Sequence, residues 1–234
     1  MRRTISAVLG ACALTFALTG TAASDVRPTI IGGHDATETY SFMVWLSNNC
    51  GGSLVAPQWI VTATHCGNAA QGRIGSINKN SGGEIGRIDR RIVKPGSDLT
   101  LMRLAQPARS TPVRMAQVNP APGSPIRQIG WGCTSHPGCT RPVILQEMDR
   151  TVLPSGRCAP GGGSPTDVCI SGDRQHSGCY GDSGGPAIVG TRGDWTLVGA
   201  TRGPGDNVQA GCGTIGLYTG IAANLPWIHQ HITR

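Results

Sequence analysis

Gly181-Asp182-Ser183-Gly184-Gly185-Pro186 is the stretch on which the fold assignment turns. A serine hydroxyl is a poor nucleophile until a neighbouring base takes its proton, and the oxyanion that follows needs preorganised donors. Glycines on both sides of the serine let backbone N–H groups approach a substrate closely. The same six residues are also compatible with a plain glycine-rich turn, so the rest of the chain decides between the two.

Upstream, Thr62-Ala63-Thr64-His65-Cys66 follows directly on the apolar segment Trp59 to Thr62. A lone histidine is more often structural than catalytic, but this one stands at a strand end beside a cysteine. Further on, Asp98-Leu99-Thr100-Leu101-Met102-Arg103-Leu104 places a carboxylate at the head of an apolar stretch. Such an aspartate caps a turn or accepts a hydrogen bond from an imidazole and fixes its tautomer.

With Ile30-Ile31-Gly32-Gly33 ahead of them, these motifs resemble the trypsin/chymotrypsin family of serine proteases in identity and in order, from Ile30 to the chain end. The resemblance implies an all-β fold: two packed antiparallel six-stranded β-barrels, the catalytic residues in the cleft between them, and a C-terminal helix. The first barrel is expected over about 30–115, the second over about 116–222 and the helix over about 223–234. By the same resemblance His65 is general base and then acid, Asp98 orients it, and Ser183 attacks the carbonyl. The N–H groups of Gly181 and Ser183 form the oxyanion hole, and a freed Ile30 ammonium pairs with Asp182. Ser177 falls at the base of the primary specificity pocket, where trypsin-like members carry aspartate, and Gly216 falls on its wall. A neutral base and an open wall imply cleavage after Phe, Tyr, Leu or Met. Asp206 is a rival, displaced acidic partner.

Eight cysteines beyond Cys12 form an even set, which points to disulfides in an exported chain. Family pairings imply Cys50 with Cys66, Cys158 with Cys169, and Cys179 with Cys212; Cys133 and Cys139 are left over and near enough to close a small loop. Three departures from the family pattern stand out. The interval from His65 to Asp98 is short, Thr201 or Arg202 replaces the serine of a Ser-Trp-Gly segment, and Arg73 to Arg87 holds a single acid, Glu84, where animal members have a calcium loop. No cofactor and no metal are expected, since the chain has no C-x-x-C pair.

Arg2 and Arg3, the apolar run Ala7 to Leu18 and the small residues Thr21-Ala22-Ala23 read as a signal peptide over 1–23, too short in its apolar part to span a bilayer. Residues 24–29 then form a short propeptide. The expected protein is secreted, extracellular and monomeric. Protein or peptide substrates are its partners, with protein protease inhibitors a further class. A net charge of +7 suggests nucleic acid, but the arginines are scattered and not interleaved with aromatics, so neither nucleic acid nor membrane is an expected partner.

The 35 Gly and 16 Pro are spread along the chain, as suits short strands joined by turns. Phe42 to Leu46, Trp59 to Thr62, Leu99 to Leu104, Ile126 to Ile129 and Trp195 to Ala200 read as strands. Five prolines between Gln106 and Pro125 mark the connection between lobes, and Ala222 to Ile232 reads as a helix with Pro226 near its start. Two other functions fit parts of the pattern. Gly181 to Gly185 also matches the G-x-S-x-G elbow of α/β-hydrolases, with Asp206 and His229 following, but neither an apolar strand precedes Ser183 nor a helix pattern follows it. A catalytically dead relative acting as a binding protein would normally lose one of the three residues, and all three are present.

Overall fold

The computed structural model describes residues 30–206, 209 and 211–233; the signal peptide and propeptide read from the sequence lie outside the described residues. Two closed antiparallel six-stranded β-barrels make up the molecule, with one short helix at its end.

In the first barrel the ring order is Met43–Leu46, Gly51–Ala56, Trp59–Thr62, Thr100–Leu104, Glu84–Val93 and Gln71–Ile74, which closes back on Met43–Leu46. Several of these strands are buried on both faces, so Met43, Val44, Leu54, Ile60, Leu101 and Leu104 are all withdrawn from water. Glu84–Val93 is the longest strand here; its Arg87, Asp89 and Arg90 face water, and its register shifts between Ile88 and Arg90. That shift breaks the period-2 pattern, so the strand does not stand out in the sequence.

The second ring runs Pro125–Gly130, Gln146–Leu153, Val168–Ile170, Gly216–Gly220, Asp194–Pro204 and Pro186–Thr191, closing on Pro125–Gly130. Its core gathers Ile126, Val152, Ile170, Val198 and Tyr218. His34–Asp35 pairs on the outside with Gln146–Glu147, so the segment just after Ile30 belongs to the second barrel although it precedes the first in sequence.

The proline-rich stretch after Gln106 carries the chain from one barrel to the other. Val113 donates its N–H to Leu54 of the first barrel, and Ala116 donates to Leu197 of the second. Between them Arg114–Met115 makes a two-residue parallel pairing with Thr196–Leu197. The terminal segment opens as a 3-10 turn, Ala222–Asn224, and continues as the α-helix Leu225–Ile232 with Pro226 in its first turn. Leu225 and Ile228 are buried in the core cluster that also holds first-barrel residues.

Candidate active site

Strand pairing brings the first two site residues together. Thr62 pairs with Thr100, so the chain leaving Trp59–Thr62 meets the chain entering Thr100–Leu104. His65 stands in the 3-10 turn Thr64–Cys66 and Asp98 just ahead of the second strand. Thr64 ties the two ends by donating its hydroxyl to the Leu99 carbonyl at 2.9 Å, and Arg91 donates to the Thr64 carbonyl at 2.8 Å. The Cys50–Cys66 disulfide fastens the turn to the neighbouring hairpin.

Asp98 holds His65 at two points. Its Oδ1 accepts the His65 backbone N–H at 3.0 Å, and its Oδ2 lies 2.8 Å from Nδ1. An ionised carboxylate only accepts, so the proton sits on Nδ1 and Nε2 presents its lone pair. Burial pushes the Asp98 carboxyl up, but the hydrogen bonds from the His65 ring and backbone N–H outweigh it and hold the group below the usual carboxylate range.

Ser183 comes from the other barrel, on the turn that leads into Pro186–Thr191. Its carbonyl accepts the N–H of Gly51 at 2.8 Å, Gly184 donates to the Thr201 carbonyl at 2.8 Å, and both the N–H and hydroxyl of Thr201 bond the Gly185 carbonyl at 2.9 Å. The serine turn is thus pinned to the first barrel at Gly51 and to its own barrel at Thr201. Of the two residues read at that departure, Thr201 spends its hydroxyl on Gly185, and Arg202 is the extra residue of a strand irregularity between Thr201 and Gly203.

Gly181 has φ +99°, a conformation that favours glycine. Among the described residues, neither its N–H nor that of Ser183 donates to a protein group. His65 and Ser183 line one cleft of about 300 Å³, with Gly178, Tyr180, Gly216 and Tyr218 among the other lining residues. No hydrogen bond joins the Ser183 hydroxyl to the imidazole among the described residues, and such contacts commonly tighten only once substrate is bound.

Asp182 is buried, 3% exposed, with Oδ1 accepting the Gly132 N–H at 2.8 Å and Oδ2 the Cys179 N–H at 2.9 Å. Burial pushes its carboxyl up to about 6, against the two N–H bonds and the charge of Arg141. Ile30 is 1% exposed, and Ile31 bridges to Ser177, whose N–H donates to the Ile31 carbonyl at 3.0 Å. The start of the described chain therefore runs beside the segment that carries Asp182.

Ser177 itself is 2% exposed, and its hydroxyl accepts the Gly213 N–H at 2.8 Å. It is not among the described residues lining the cleft, whereas its neighbour Gly178 is. Gly216 lines the cleft. Asp206 does not; it is exposed and accepts the hydroxyl of Thr214. Disulfides pair Cys179 with Cys212, Cys133 with Cys139 and Cys158 with Cys169. Glu84, the one acid of the stretch compared with a calcium loop, binds the N–H groups of Arg109 and Ser110.

Two polar residues near the cleft escape a motif reading, Gln128 and Tyr218. The signal for Gln128 is its spacing: two residues after Ile126 in a strand, it shares that residue's inward face.

The family model described as Trypsin matches residues 30–228. A trypsin from Sarcophaga bullata is 30% identical over 247 residues, covering 93% of each chain. Human kallikrein-15 is 31% identical over 258 residues, 94% of this chain and 97% of its own, and human kallikrein-14 is 31% identical over 187 residues, 68% and 69%.

Proposed function

Because the chain belongs to the trypsin family and is a serine endopeptidase, we propose that it is a secreted enzyme in which His65, Asp98 and Ser183 cleave protein or peptide chains after large apolar or aromatic residues. The observation that carries the assignment of roles is the two-point hold of Asp98 on His65, at 2.8 and 3.0 Å, within a cleft that Ser183 shares. With its proton fixed on Nδ1, His65 takes the Ser183 hydroxyl proton at Nε2 as Oγ attacks the substrate carbonyl. The N–H groups of Gly181 and Ser183, without a protein partner among the described residues, receive the oxyanion. The imidazolium then hands its proton to the leaving amine, and water repeats the sequence on the acyl-enzyme, with His65 again the base.

Activation follows cleavage ahead of Ile30, after the signal peptide 1–23 and propeptide 24–29 have gone. The new ammonium pairs with Asp182, a buried carboxylate whose two N–H partners leave its charge uncompensated by any full positive charge in direct contact among the described residues. Thr29 is not basic, so trypsin-like self-cleavage does not make the cut, which falls to another protease or to a trimming step. The enzyme works as a monomer and meets protein protease inhibitors at the same cleft.

Specificity for apolar residues is supported by the lining: among the described residues none is acidic, and one, Arg202, is a cation. A substrate Arg or Lys buried there would lack a partner and be heavily penalised, whereas burying a Phe or Leu side chain contributes about 1.5–3 kcal/mol. Cleavage of a diverse peptide library by the form beginning at Ile30 tests the reading. Preference for Arg before the scissile bond, judged by kcat/KM, would overturn it.

A further inference from the structure

The turn that carries His65 is a 3-10 turn of three residues, Thr64–Cys66, with no side-chain cap. Its internal bonds are long: the Cys66 N–H reaches the Ala63 carbonyl at 3.4 Å and the Gly67 N–H the Thr64 carbonyl at 3.1 Å. A single turn of this kind does not hold itself, so ties from outside set its position. After His65 those ties are the Cys50–Cys66 disulfide and the Asn48 amide, which donates to the Cys66 carbonyl at 2.7 Å. Before His65 they are the Thr64 hydroxyl, bonded to Leu99, and Arg91. The strand Thr100–Leu104 lies between Glu84–Val93 and Trp59–Thr62, and the Arg91 side chain reaches past it to donate to the Thr64 carbonyl at 2.8 Å.

That carbonyl and the His65 N–H are the two ends of one planar peptide unit. Arg91 holds the oxygen end, and Asp98 Oδ1 accepts from the nitrogen end at 3.0 Å. A cation at the carbonyl and an anion at the N–H match the peptide dipole at both poles, and each bond polarises the unit in favour of the other. The guanidinium stays at this place against a penalty, since its Nε is buried with no hydrogen-bond partner among the described residues and a buried unpaired donor is destabilising. We propose that Arg91 is a positioning residue for the reaction: with Asp98 it clamps the peptide plane that carries the base and so fixes the direction in which Nε2 faces Ser183. The inference rests on the reading of His65 as base and adds to it a residue from a strand with no motif. Arg91 is not among the described residues lining the cleft that holds His65 and Ser183, so it acts through His65 and not on the substrate.

The test uses the form beginning at Ile30, with working sites titrated to completion by a serine phosphonylating reagent so that kcat is taken per site and unfolded enzyme drops out. Arg91→Met keeps an unbranched stem and removes the donor and its charge. It should lower kcat about ten- to a hundredfold, the range for a base displaced by up to about 1 Å, with KM unchanged. The rate of phosphonylation should fall with kcat, because that reaction also needs His65 to take the serine proton. In Arg91→Ala, added ethylguanidinium should restore part of the lost kcat and leave the unsubstituted enzyme unaffected. A kcat per site equal to that of the unsubstituted enzyme, a change confined to KM, or no response to ethylguanidinium would overturn the clamp. Failure of both variants to give titratable enzyme would overturn it too, by making the bond a requirement of folding alone. Hydrolysis surviving in Ser183→Ala is the separate result that overturns the reading of the three residues themselves, and the clamp with it.

Discussion

The carboxylate of Glu147, wholly buried in the second barrel, accepts the phenol of Tyr40 at 2.6 Å across 107 positions of sequence. Arg127 completes the group, donating to Glu147 at 3.1 Å and to the Tyr40 oxygen at 3.0 Å while lying 5.1 Å over the Trp195 ring. Thr37 adds its N–H and hydroxyl to the same carboxylate. The segment between Ile30 and the first barrel is thereby fastened to the second. Tyr40→Phe removes one donor to a buried anion and should cost about 1.5–3 kcal/mol in urea unfolding. A change below a few tenths of a kcal/mol would show that the network does not hold this segment.

Ser183→Ala or His65→Ala should lower kcat by about four to six orders of magnitude with the circular dichroism spectrum unchanged, because the three residues act as one unit. Asp98→Asn should cost about 10⁴, since an amide cannot hold the imidazole in the tautomer that Asp98 imposes. Peptide hydrolysis surviving in purified Ser183→Ala would refute the assignment of the nucleophile.

Asp182 predicts a pH signature that separates the uncleaved chain from the form beginning at Ile30. Folding raises this carboxyl from its ordinary value of 3.8 to about 6, so the folded chain holds the proton more tightly than the unfolded one. Between those values the unfolded state binds fewer protons, and this group's contribution to stability falls as pH rises. In the cleaved form the Ile30 ammonium offsets that loss. The difference in unfolding midpoint between the two forms should therefore widen from pH 4 to 6 in favour of the cleaved form. A difference constant across that window would argue against an Ile30–Asp182 pair.

Gly184 has φ +73°, and a Cβ there would lie 2.1 Å from Thr62 Oγ1 and 2.6 Å from the Gly51 carbonyl. Gly184→Ala should displace the serine turn from the first barrel, with kcat falling more steeply than thermal stability. Wild-type turnover in that variant would mean the turn has slack the close contact does not suggest.

Much of this was legible from residue types alone. Trp59–Thr62 and the stretch from Leu99 to Leu104 read as strands because they are short, β-branched and bounded by turn formers. Their pairing at Thr62 and Thr100 makes neighbours of His65 and Asp98. Gln146–Leu153 did not stand out, because Glu147 looks like a surface residue unless one knows that Thr37, Tyr40 and Arg127 will satisfy it. Motif counting reached Ser177, but which of two adjacent residues faces a cavity depends on backbone direction, and there Gly178 faces it. The same limit hid the role of Thr201, whose register depends on an irregularity opposite Gly216–Gly220. Gln128 carries no motif; only the fold brings its oxygen, the Tyr218 hydroxyl and Asp182 Oδ2 each within 4 Å of where a Cβ on Gly178 would lie.

The bond from the Gly51 N–H to the Ser183 carbonyl crosses from one barrel to the other. In the proposed mechanism His65 and Asp98 reside in one lobe and Ser183 with the N–H groups of Gly181 and Ser183 in the other, so neither lobe would carry a working half-reaction. Hydrolysis is thus a coincidence signal, produced only while both lobes are docked in register. On that reading a stray lobe in a partly unfolded or nicked molecule is chemically silent, a built-in safeguard for an enzyme that would otherwise cleave its own kind.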